Sequence, residues 1–100
     1  MARSRVDLGK IFHQFVKHVY FQPTEKTKIE YPCIIYERAA GIDIPADNIP
    51  YLMHMSYNVT VIDKDPDSEI PSKVRALPLC TFNRHFVTEN LHHDIFTIYF

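Results

Sequence analysis

The chain has 100 residues, 46% of them hydrophobic, with 11 Lys and Arg against 12 Asp and Glu, six His, two Cys, two Gly and no Trp. That length builds one hydrophobic core and not two, so the reading is a single domain over 1–100. A net charge of −1 argues against affinity built on phosphate neutralisation, two Gly against a Gly-rich phosphate loop, and Cys33 and Cys80 without a CxxC pair against a zinc finger or disulfide scaffold.

The first element reads as a helix. Leu8, Ile11, Phe12, Phe15, Val16 and Val19 follow one another at steps of three, one, three, one and three, one stripe on a 3.6-residue period. Asp7, Lys10, His13, Gln14 and Lys17 take the other face. Ser4 is placed to cap the start, and Lys17 and His18 suit the negative end of the dipole. Val19 to Gln22 is short and extended, closed by Pro23 and the polar run Thr24 to Lys28. Tyr31 to Arg38 (YPCIIYER) is apolar on both faces at its centre, as an interior strand is. Ala39 to Pro50 reads as a long loop. From Tyr51 to Asp63, Tyr51, Met53, Met55, Tyr57, Val59 and Val61 alternate with more polar residues, which gives a strand with one buried face.

After the Asp65-Pro66 turn, Asp67 or Ser68 is placed to cap a short helix running to about Leu77, with Pro71 in its first turn and Pro78 after its end. Leu79 to Thr88 and Asp94 to Phe100 form two further strands, joined through residues 89–93 as an antiparallel hairpin. The sum is α+β: a largely antiparallel sheet of four or five strands carrying an N-terminal amphipathic helix and a second short helix. No apolar run approaches the roughly 20 residues that span a bilayer, and no apolar signal core follows the basic opening, so neither membrane nor secretion is expected.

Candidate chemistry is sparse. Asp63, Asp65, Asp67 and Glu69 alternate like the start of a calcium loop, but Ser68 stands at the sharp-turn position and Val74 at the closing Glu; acids near a helix start are the plainer reading. His85, His92, His93 and Asp94, with His54 on a neighbouring strand, are metal-ligand types. Adjacent strand residues face opposite ways, so His92 and His93 do not share an ion. Cys33 and Cys80 in apolar strands are inert thiols, and Ser4, Ser56, Ser68 and Ser72 sit in no catalytic sequence. The expectation is no enzyme, no cofactor and no metal. Ile42, Ile44 and Ile49 in the 39–50 loop, which also carries Asp47, and Phe96, Ile98 and Phe100 in the terminal IFTIYF, place apolar bulk where neighbouring copies would cover it. They are the candidate subunit or partner contacts.

Several strings then carry a resemblance: VYFQP after the first helix, YPCIIYER, the loop end ADNIPY, VTVIDKDPDSEIPSKV, and FNRHFVTENLHHDIFTIYF, in this order. VIDKDPDSEI and RHFVTENLHHDIFTIYF are the most specific. The chain resembles the tail terminator (tail completion, head–tail joining) proteins of long-tailed bacteriophages over nearly its whole length. The resemblance implies an α+β subunit of a hexameric ring on the head-proximal end of the tail tube. Such a ring stops tube polymerisation and docks to the head–tail connector or stopper protein, while DNA passes through without specific binding. It also implies a place at the head–tail junction of the virion, after assembly in the host bacterial cytoplasm. Asp63, Asp65, Asp67 and Glu69 would then face the DNA path or solvent. The competing readings are a head–tail stopper or adaptor, a small metal- or ligand-binding domain on the acidic turn or the His-bearing hairpin, and an enzyme of unrecognised type.

Overall fold

A computed structural model describes residues 5–39 and 56–100. The described elements are α1 (Arg5–His13), β1 (His18–Phe21), β2 (Cys33–Arg38), β3 (Ser56–Asp63), α2 (Ile70–Arg75), β4 (Cys80–Thr88) and β5 (Leu91–Tyr99). The strands form one mixed sheet in the order β1-β2-β3-β5-β4, parallel between β1 and β2 and antiparallel elsewhere. The fold is α+β, with helices at both expected places.

The helix is shorter than its stripe predicts. It ends at His13, and the N–H groups of Gln14 and Phe15 close tighter bonds to the carbonyls of Ile11 and Phe12 at 3.1 and 2.9 Å. His18 to Phe21, three of them β-branched or aromatic, instead lie beside Cys33 to Tyr36 in the sheet. Phe12 and Val16 nonetheless share one core with Ile34, Tyr36, Tyr57, Val59, Val61, Val74 and Phe96, and Phe15 and Val19 pack against it. The stripe was a true record of burial, spread over a helix, a turn and a strand.

Gly9 explains how closely α1 sits on the sheet. A Cβ there would lie 2.7 Å from the Tyr36 hydroxyl, which donates to the Arg5 carbonyl at 3.1 Å. Tyr36 also meets Phe12 edge-on at 5.2 Å and Phe21 at 5.0 Å between ring centres. β2 is interior as predicted, with Cys33 and Ile34 both buried on opposite faces.

α2 spans Ile70–Arg75 only. The residue at its N-cap is Glu69, whose side chain makes no capping bond, so neither Asp67 nor Ser68 is the cap; Ser68 Oγ accepts the Ile70 N–H at 3.3 Å. Pro71 falls in the first turn, where its missing N–H costs nothing. The hairpin also differs from expectation. Leu91, His92 and His93 belong to β5, and the connection is the pair Glu89-Asn90, at φ of 52° and 63°. Two left-handed residues make the turn whose twist matches that of the strands.

Candidate functional site

The expected contact residues divide. Ile42, Ile44, Asp47 and Ile49, and with them His54 and the strand start at 51–55, lie outside the described residues. Phe96, Ile98 and Phe100 are 1%, 1% and 3% exposed, inside the chain's own core. For these three the cover comes from within the chain, and neighbouring copies are not needed for it: β5 is an interior strand between β3 and β4, and all three join the core shared with the helices.

The long free edge belongs to β4. Its outer position leaves Phe82 and Val87 exposed, Val87 at 53%, with Leu79 exposed just before the strand. Simple alternation puts residues 82 and 87 on opposite faces. A bulge between Phe82 and Arg84 resets the register, so that Phe82 faces Phe96, His85 faces Asp94 and Val87 faces His92, all on the helix side of the sheet. An odd spacing within one strand was the only trace of this in the sequence. On the other side, the Arg84 guanidinium lies 5.1 Å from the Phe86 ring centre, and Phe86 stacks on His93 at 4.6 Å and 10°. There Asn83 Nδ2 donates to Thr97 Oγ1 at 2.8 Å.

The helix-side tip of the hairpin gathers the titratable groups. Asp63 faces His92 across the β3–β5 ladder. His85 Nδ1 donates to Asp94 Oδ1 at 2.8 Å, and the rings of His85 and His92 lie 5.7 Å apart at 27°. His93 points to the opposite side, where its Nδ1 donates to the Leu91 carbonyl at 3.1 Å. Among the described residues, no three His, Cys, Asp or Glu side chains are placed to hold one metal ion.

The acidic turn is occupied with its own backbone. Asp63 Oδ1 accepts the Asp65 N–H, and Asp65 Oδ1 accepts the Asp67 N–H, each at 2.9 Å. Asp65, Asp67 and Glu69 are exposed. These are local turn bonds of the kind Asp favours.

Nucleophilic chemistry finds little support. Burial pushes the Cys33 thiol up to about 12, and the charge of Asp63 adds to the shift. The Cys80 thiol is raised by burial as well, which the nearby Arg75 opposes. Both are protonated near neutral pH and poor nucleophiles. A polar cleft of about 480 Å³ between Gln22-Pro23 and the β2–β3 ladder is lined by Glu37, Arg38, Asn58 and Thr60. Among the described residues, no helix is long and apolar enough to cross a membrane. The chain matches no known family model, no curated protein and no solved structure.

Proposed function

We propose that this chain is a tail terminator subunit of a long-tailed bacteriophage, a virion structural protein and not an enzyme. In this reading it forms a hexameric ring on the head-proximal end of the tail tube, stops tube polymerisation and presents the docking surface for the head connector. DNA passes through without specific binding, and the subunits assemble in the host bacterial cytoplasm. One observation carries the reading. One of the two strings most specific to the resemblance, RHFVTENLHHDIFTIYF, falls on the hairpin that leaves the long free edge of the sheet. A ring joins unlike surfaces of successive copies and closes by rotation. An outer strand bearing exposed Phe82 and Val87 is an edge that such closure would cover. Near-zero net charge suits close packing of identical copies, and the acidic turn is left to face the DNA path or solvent.

The test is genetic. Particles lacking this gene are expected to show tails of irregular, overlong length beside DNA-filled heads. Tails of normal length that fail to join would replace the terminator with a head–tail stopper, and intact joined particles would remove the neck altogether.

A further inference from the structure

We propose that the helix-side tip of the β4–β5 hairpin binds a divalent first-row transition ion through His85 and His92, with Asp94 holding His85 in place. The inference does not rest on the tail reading. By sequence alone, three imidazoles on two strands have no defined partners. The ladder gives them one arrangement: His85 faces Asp94 and His92 faces Val87, so the two rings are diagonal neighbours on one surface, and His93 is on the other.

His85 is the fixed ligand. A carboxylate only accepts, so the 2.8 Å contact means that Nδ1 carries the proton and Nε2 the free lone pair. A carboxylate behind an imidazole is the usual support of a metal-bound histidine, since it sets tautomer and ring orientation. Asp94 is mostly covered and His85 is half exposed, so the pair is anchored below and open above. His92 is the adjustable ligand. Its ring nitrogens make no hydrogen bond among the described residues, which leaves the ring able to turn about χ2. Metal–nitrogen bonds of about 2.0–2.1 Å put ring centres about 3 Å from an ion, hence about 5–6 Å from each other. The observed separation is 5.7 Å, with the planes stacked at 27°, so the His92 ring must turn about χ2 for its lone pair to meet that of His85 on one ion.

The local field favours a cation. Asp63 faces His92, and Asp65 and Asp67 follow in the next turn. Two cations oppose them, Lys64 in the same turn and Arg75 of α2, which lines a cleft with Asp94, whereas Arg84 lies on the other side of the sheet. Imidazole nitrogen selects zinc, nickel or copper over calcium and magnesium, and two protein ligands leave the remaining positions to water.

The test titrates the full, untagged chain with Zn²⁺ and Ni²⁺ by calorimetry and amide NMR, with circular dichroism to check the fold of each variant. Saturable one-to-one binding is expected, with shifts centred on residues 85 and 92. His85→Ala and His92→Ala each weaken it by about tenfold or more, Asp94→Asn by about tenfold, and His93→Ala leaves it unchanged. Calcium should not compete. Equal loss in His93→Ala, calcium binding as tight as zinc, or no binding at millimolar metal would each overturn the assignment.

Discussion

The base and the tip of the β4–β5 hairpin share two strands and one continuous ladder, yet they are built for different surroundings. At the base, Phe96, Ile98 and Phe100 lie under α1 and α2 and are almost fully buried. Two residues toward the turn on β5, on the same side, the side chains become Asp94 and then His92, with His85 and Val87 opposite them on β4, and only the edge of α2, through Arg75, still borders Asp94. The contrast teaches that the apolar ending IFTIYF reflects cover from within the chain. On this hairpin the exposed apolar groups, Phe82 and Val87, sit on the neighbouring strand β4 instead, Val87 beside His92.

The sharpest way to break this comparison is to truncate one residue in each half. Phe96→Ala should cost about 3–5 kcal/mol, a large share of the stability of a domain this size, whereas Val87→Ser should stay within about 0.5 kcal/mol. Urea unfolding reads both, and equal losses would mean that base and tip are not distinct. Next in size is the close approach of helix to sheet that makes the base dry. Gly9→Ala should destabilise by about 1–3 kcal/mol, because the new methyl meets the Tyr36 hydroxyl. Removing that hydroxyl relieves the clash, so Gly9→Ala combined with Tyr36→Phe should lose less than the sum of the two single changes. Strict additivity in that cycle would place the strain elsewhere. A smaller change, of opposite sign, belongs to the turn. Glu89 holds a positive φ that Asn tolerates better, so Glu89→Asn should stabilise by up to about 1 kcal/mol, seen as a raised Tm.

Most of the strand content was legible because it rests on short-range pattern. The alternation over Tyr57, Val59 and Val61 named the buried face of β3, and the two-sided apolar centre of YPCIIYER named an interior strand. What was not legible depends on long-range pairing. Val19 continues a helical stripe, and only its partner Ile34 makes it a strand residue. The turn at Glu89-Asn90 lacks the Gly that usually marks such a pair, so the whole of 89–93 read as connection. The candidate site suffered most. Whether His85 meets His92 or His93 depends on the bulge after Phe82, and a bulge has no reliable residue signature.

The strand order carries a consequence for the timing of folding. β3 pairs with β5, the last of these five strands in chain order, and β4 is joined to the sheet only through β5. A chain emerging from the ribosome can therefore assemble β1, β2 and β3, but β4 has no neighbour to bind until residues 91–99 follow it out. During that interval Val59 and Val61 lack their cover from β5, and the nascent chain exposes an unpaired β3 edge to any extended segment nearby. Completion of the sheet thus waits for β5, governed by closure between distant parts of the chain and slower than the formation of either helix.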